Sequence, residues 1–147
     1  MRVSVIGGGT TTDAEYETAM ALGTELGTRS HDVVCGGLTG VMEGVAAGMA
    51  ETGGQVIGIL PGESTEDANP YVDVPIATGM GNARNVMVVL NGEATIAVDG
   101  GTGTLSEIAH ALDLDRPVAG LDTHDFEGVE AVATPADAVD FVETATT

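Results

Sequence analysis

The sequence predicts a single doubly wound α/β domain with a mostly parallel sheet flanked by helices. Three observations point there. Short runs that are apolar at nearly every position recur along the chain, the mark of strands covered on both faces. Patterns of helical period fill the gaps between them, as in repeated strand–helix units. Glycine-rich turns close the first, second and fifth runs, on the sheet edge where such folds bind ligands. No linker, low-complexity segment or internal repeat divides the 147 residues, so one domain over 1–147 is expected.

Taken in order, residues 3–6 form the first strand and end in Gly7-Gly8-Gly9. Thr12 with Glu15 three residues later is a capping-box signature, and Ala19, Leu22 and Leu26 give the helix behind it an apolar stripe. Residues 33–35 are the second strand, closed by Gly36-Gly37, and 41–50 read as a helix of small side chains stopped by Gly53-Gly54. The third strand is 56–60, ended by Pro61-Gly62; the polar stretch 63–71 is an exposed loop, and a short strand follows at 71–74. Asn82 is placed to cap a helix running to about residue 90. Residues 95–98 end in Gly100-Gly101, after which Thr104 opens a helix to about residue 114. Strands at 117–121 and 129–133 follow, and Thr134-Pro135 caps a last helix to about residue 143.

Composition narrows the function. Twenty-three acidic residues stand against four basic ones, giving a formal charge of −19, and all four cations are arginines. Without a lysine there is no Walker-type phosphate loop and no Schiff-base chemistry, and four scattered arginines make no groove for nucleic acid. At this charge the folded chain repels itself unless salt screens it, and at about 1 M the screening length is only about 3 Å. A lysine-free, carboxylate-rich sequence with a mean hydropathy of +0.20 therefore reads as a halophilic protein whose acids form a solvated surface. The lone cysteine, Cys35, excludes an internal disulfide and a cysteine-cluster zinc site. No uncharged apolar stretch approaches the roughly 18 residues of a membrane span, and the chain opens on a strand where a secretory leader has a basic region. A cytoplasmic location with no membrane partner is expected.

A glycine turn feeding a helix presents backbone N–H groups and the positive end of the helix dipole, which suits a phosphate. Three such turns on one edge point to a nucleotide-like or phosphosugar ligand. The dinucleotide fingerprint is absent: Gly7-Gly8-Gly9-Thr10-Thr11-Thr12 lacks its third glycine, and Cys35-Gly36 stands where an acid would hold a ribose diol. The richest segment joins Arg84-Asn85 to Asp99-Gly100-Gly101-Thr102-Gly103-Thr104-Leu105-Ser106-Glu107. Glu107 sits one turn into its helix and leans back over the glycines; Thr104 with Glu107 also matches a capping box, and the spacing does not separate the two roles. Arg84 falls in the first turn of its helix, where a cation opposes the dipole and a bound anion gives it a purpose. Asp99 and Glu107 form a carboxylate pair able to recruit Mg²⁺ or simply to be solvated at a strand end, and the spacing of the ionisable residues assigns no metal site.

Gly36-Gly37-Leu38-Thr39-Gly40-Val41-Met42 resembles the motif G-G-x-x-G-[LV]-M, and Gly100-Gly101-Thr102-Gly103-Thr104-Leu105-Ser106-Glu107 matches G-G-x-G-T-x-x-E. With Arg84 upstream, these motifs resemble the LOG-like Rossmann superfamily from residue 3 to about 121. That superfamily holds the cytokinin-activating phosphoribohydrolases, the molybdenum-cofactor carrier proteins and an uncharacterised branch related to the DNA-processing protein DprA. Arg84-Asn85 and the stretch 99–110 are most similar to the last two groups. The resemblance implies a homodimer or larger homo-oligomer that binds a phosphorylated small molecule. In the hydrolase version a nucleoside 5′-monophosphate is split to base and ribose 5-phosphate; in the other, a nucleotide or pterin phosphate is carried or sensed without chemistry. It implies Arg84 and Glu107 as catalytic residues, with Gly7, Gly8, Gly9, Gly36, Gly37, Gly40, Gly100, Gly101, Gly103 and Thr104 around the ligand. Two positions depart from the phosphoribohydrolase pattern: Asp99 replaces a proline and Asn85 a lysine, a change of about two charge units beside the phosphate.

The remaining ionisable residues carry less. Arg2, Arg29 and Arg116 lie at a strand start, a helix end and before Pro117; His31, His110 and His124 lack metal-ligand spacing, although His110 shares a helix face with Glu107. Cys35 reads as a small buried hydrophobe, and Met42 and Met49 as core.

Overall fold

The computed structural model describes all 147 residues. Seven strands form one sheet in which every pairing is parallel: β1 (Arg2–Gly7), β2 (Asp32–Cys35), β3 (Val56–Leu60), β4 (Val74–Ala77), β5 (Ala94–Val98), β6 (Val118–Leu121) and β7 (Val129–Ala131), in the order β4-β3-β2-β1-β5-β6-β7. Five helices flank it: α1 (Asp13–Thr28), α2 (Val41–Ala50), α3 (Asn85–Leu90), α4 (Thr102–Asp113) and α5 (Pro135–Thr146). The doubly wound parallel α/β fold expected from the apolar runs is the fold observed.

The two faces are distinct. Under α1, α2 and α5 lies the larger apolar cluster, built on Val3, Val5, Val33, Val56, Ile96 and Val98. Under α3 and α4 lies the smaller one, with Ile6, Val34, Ile57, Ile59 and Ala97. β1, β2 and β5 alternate between the two clusters, which is why their buried positions are apolar except at Ser4 and Thr95. Ser4, the polar exception inside β1, is fully buried and donates to the Val88 carbonyl at 2.8 Å. α1 and α2 touch through backbone: a Cβ on Gly23 would lie 2.1 Å from the Val45 carbonyl oxygen, and one on Gly48 2.1 Å from that of Met20. The small residues of α2 exist for that contact.

Local signals place most elements. Thr12 caps α1 in a full capping box with Glu15, and Thr134 accepts from the Asp137 N–H at 3.1 Å ahead of α5. Four expectations shift. The fourth strand starts at Val74, because Asn69 folds residues 69–71 into a side-chain turn and Asp73 spends its carboxylate on the Val56 N–H. Asn82 caps nothing: Gly79 and Gly81 have positive φ, residues Gly81–Arg84 form a 3₁₀ turn, and α3 begins only at Asn85. α4 begins at Thr102, so Thr104 lies inside it. The last strand stops at Ala131. The loop 63–71 is exposed apart from Ala68, which is half-buried, and Asn69, which is buried and donates to the Leu38 carbonyl.

Candidate functional site

β1 and β5 are neighbours at the point where the strand order reverses, and a crevice opens there beyond their carboxyl ends. The resulting cleft has a volume of ≈ 380 Å³, within the range of small-molecule sites. Its walls come from three turns: Gly7-Gly8-Gly9 after β1, Gly36 and Leu38 after β2, and the first residues of α4. The first two turns are tied together, with Thr39 donating to the Gly9 carbonyl at 2.8 Å and the Val41 N–H to that of Gly8 at 3.0 Å. The third hangs from the loop after β6. There Thr123 donates to the Asp99 carbonyl at 2.7 Å and His124 to that of Gly101 at 2.9 Å. No side chain caps α4, so its opening N–H groups stand free where Gly101, Thr102, Gly103 and Thr104 line the cleft.

Arg84 enters the cleft from the 3₁₀ turn and is 5% exposed. Its Nε donates to the Ile59 carbonyl at 2.8 Å, Nη1 to the Asn85 side-chain oxygen, and Nη2 reaches the Gly36 carbonyl at 3.5 Å. Arg84 precedes α3 and does not oppose the dipole from within its first turn. The guanidinium is solvated by neutral oxygens and forms no ion pair within 4 Å, since all the salt bridges of the molecule belong to Arg29 and His31. Three of its five N–H groups are used, and two remain for a ligand. Gly36 makes this possible: a Cβ there would stand 2.9 Å from Nη2 and 2.7 Å from the Met42 sulfur.

Glu107, 8% exposed on α4, faces the same cleft. Because α4 starts two residues before Thr104, the Thr104–Glu107 capping box does not form, and the carboxyl makes no hydrogen bond inside the chain. Burial pushes its pKa up to about 8, with Arg84 opposing the rise. Burial likewise lowers the Arg84 pKa, and Glu107 opposes it. Asp99, the charge that most disfavours a phosphate, does not line the cleft. It pairs with Glu15, which raises the Asp99 pKa and lowers that of Glu15.

Of the residues expected around the ligand, Gly7, Gly8, Gly9, Gly36, Gly101, Gly103, Thr104, Arg84 and Glu107 line the cleft together. Gly37, Gly40 and Gly100 do not; all three have positive φ and shape the turns from behind. Asn82, Asn85, Leu38 and Met42 line it and were not expected there. Asn85 was legible as the neighbour of Arg84, whereas Met42 read as core and is only partly buried. His110 is exposed and outside the cleft; Cys35 is fully buried and its thiol is pushed up to about 11, which keeps it protonated. No three His, Cys, Asp or Glu side chains converge as a metal set.

The SLOG cluster4 family model matches residues 1–146. An uncharacterised protein of Archaeoglobus fulgidus is 41% identical over 142 residues, covering 96% of this chain and 93% of that one. A probable cytokinin riboside 5′-monophosphate phosphoribohydrolase of Oryza sativa subsp. japonica is 32% identical over 99 residues; the match covers 65% of this chain and less than half, 44%, of that relative. Among solved structures, the molybdenum cofactor binding protein of Rippkaea orientalis superposes with a TM-score of 0.93 at 32% identity, covering 99% of this chain and 97% of its own. The molybdenum cofactor carrier protein of Chlamydomonas reinhardtii gives 0.87 at 32%, covering 97% and 96%. DNA processing protein A of Streptococcus pneumoniae gives 0.76 at 15% identity over 95% of this chain and 60% of its own, a likeness of fold alone.

Proposed function

The chain belongs to the SLOG cluster4 family, and from that premise we propose that its cleft binds a phosphorylated pterin of the molybdenum-cofactor class and carries it without cleaving it. One observation carries the reading. A buried guanidinium with two uncommitted N–H groups and no carboxylate partner sits beneath three glycine turns, so the site holds an uncompensated cation that an anion would neutralise. The opening N–H groups of α4 add further donors for phosphate oxygens. The likeness to two cofactor-binding structures over nearly their whole length supports the pterin.

A second reading, hydrolysis of a nucleoside 5′-monophosphate, is favoured by the presence of Arg84 and Glu107 in one cleft and by the plant relative. The environment of Glu107 argues against its stabilising an oxocarbenium-like sugar as a carboxylate, because burial favours the neutral acid. A neutral carboxyl instead donates a hydrogen bond, which suits retention of a ligand. Asn85 acts in the same sense, lending Arg84 a neutral oxygen where the phosphoribohydrolase pattern has a second cation.

The two readings separate in one assay. The protein, in molar KCl, is incubated with a panel of nucleoside 5′-monophosphates and ribose 5-phosphate is measured, while a phosphorylated pterin is titrated in parallel. Binding of the pterin with no release of ribose 5-phosphate is expected. Sustained release that is lost in Glu107→Gln would replace the carrier reading with the hydrolase one.

A further inference from the structure

Residues 61–73, between β3 and β4, are mostly exposed and line none of the cleft, yet two of its walls are tied to them. The Pro61 and Gly62 carbonyls accept from the Gly81 and Gly79 N–H groups, each at 2.9 Å, and so hold the segment that carries Asn82 and Arg84. Asn69 holds the turn after β2. Its N–H donates to the Gly37 carbonyl at 2.9 Å and its side-chain amide to the Leu38 carbonyl at 2.8 Å. Its side-chain oxygen accepts from the Tyr71 N–H at 3.0 Å and its carbonyl from the Val72 N–H at 3.3 Å. A local asparagine turn needs only the last two bonds. The first two cross to residues more than thirty positions away, and they account for an asparagine only 8% exposed in a polar loop.

What those bonds fix is Leu38. Residues 36–40 have no regular structure, and Gly37 and Gly40 have positive φ, so the turn is held by its flanks alone. Thr39 and Val41 fasten one flank to Gly9 and Gly8, and Asn69 fastens the other. Leu38 and Met42 are the two apolar side chains of the cleft that stay partly exposed, since Val5 and Ile6 are buried. β2 and β5 flank β1, so Leu38 and the start of α4 stand on opposite sides of the first glycine turn. A phosphorylated pterin is divided in the same way, into an anion that takes N–H donors and a flat ring whose faces lie against apolar side chains. Resting on the ligand reading above, we propose that Leu38 and Met42 form the ring subsite and that Asn69, outside the cleft, is the positioning residue that sets it by holding the Leu38 backbone. The phosphate end, built from α4 and Arg84, does not depend on Asn69.

Asn69→Asp keeps the acceptor for Tyr71 and replaces the donor to Leu38 with an acceptor. In molar KCl, with native circular dichroism, this variant is expected to bind a phosphorylated pterin about tenfold more weakly than wild type, through one lost hydrogen bond and an orphaned carbonyl. It is expected to bind inorganic phosphate as wild type does. The fluorescence anisotropy of the bound pterin should fall, because the ring moves while the phosphate is held. Leu38→Ala is expected to reproduce all three results, and the double variant to bind no more weakly than Leu38→Ala alone, because Asn69 acts through Leu38. Unchanged pterin affinity in Asn69→Asp, an equal loss of phosphate binding, or additive losses in the double variant would overturn this inference and leave the carrier reading standing. A wild-type chain that binds no pterin would overturn both. Should Asn69→Asp not fold, amide exchange of the wild-type chain decides: the pterin is expected to protect the Asn69 N–H and inorganic phosphate to leave it unchanged. Equal effects of the two, or none from the pterin, would overturn the inference.

Discussion

Arg84 and Glu107 are two buried ionisable groups in one cleft that do not form an ion pair, and that separation sets what each can do. Arg84 keeps its charge because carbonyl and amide oxygens replace water around it, leaving a cation whose counter-ion must come from outside. Glu107 has no such donors, so its neutral form is preferred. The sign of the resulting pH dependence follows. With a pKa near 8 folded and about 4.5 unfolded, the native chain holds the extra proton between these values. The stability that Glu107 contributes is complete below about pH 4.5 and is lost as pH rises toward about 8. Glu107→Gln, which keeps the shape and has no proton to lose, is expected to remove that slope, so that urea midpoints of variant and wild type diverge as pH rises from 5 to about 8. Parallel midpoints would show that Glu107 titrates normally. Both residues were legible from their motif, but their roles were not: the dipole argument for Arg84 and the capping alternative for Glu107 both assumed helix starts that the backbone does not adopt.

At the scale of elements, the turns carry the function and the helices hold them. β1, α2, β3 and the start of α5 were readable because a local device fixes each: a glycine stop, a proline stop, or a Thr-Pro cap. β4 and the start of α3 were not, since both depend on contacts far away in sequence, Asp73 with Val56 and the paired positive-φ glycines that bend 79–84 against β3. Within the turns, glycines that look alike differ in what surrounds them. Gly36 is pressed between Met42 and Arg84, both flexible side chains, whereas Gly101 has nothing within 4 Å. Gly36→Ala is therefore expected to leave the fold intact but push Arg84 aside and weaken ligand binding by tenfold or more, about 1.4 kcal/mol. Gly101→Ala is expected to fold and to bind more nearly as wild type. Thermal melts paired with titrations check the contrast, and equal affinities in the two variants would show that Arg84 is not held by the Gly36 approach.

For the molecule as a whole, the acidic surface and the cationic cleft are opposed. Twenty-three carboxylates face four arginines; Arg29 meets Glu25, Asp140 and Glu143, and His31 meets Glu143, leaving the rest of the surface without ion pairs. Self-repulsion should dominate at low ionic strength, so the melting temperature followed by circular dichroism is expected to rise with KCl to molar levels; an unchanged melt in dilute buffer would show that the charge is not limiting. An anionic ligand meets the same field, and its association should quicken with salt. The charge was the plainest feature of the sequence, yet it described the surface and not the site. The site depends on one buried arginine, and its proposed task is tested most directly by titrating a phosphorylated pterin into wild type and Arg84→Ala in molar KCl. Loss of charge-assisted hydrogen bonds worth about 1.5–3 kcal/mol predicts wild-type binding that falls by roughly ten- to a hundredfold in the variant. Equal affinity in the two proteins, or no binding to wild type, would contradict the assignment of the cleft as a phosphorylated-pterin site.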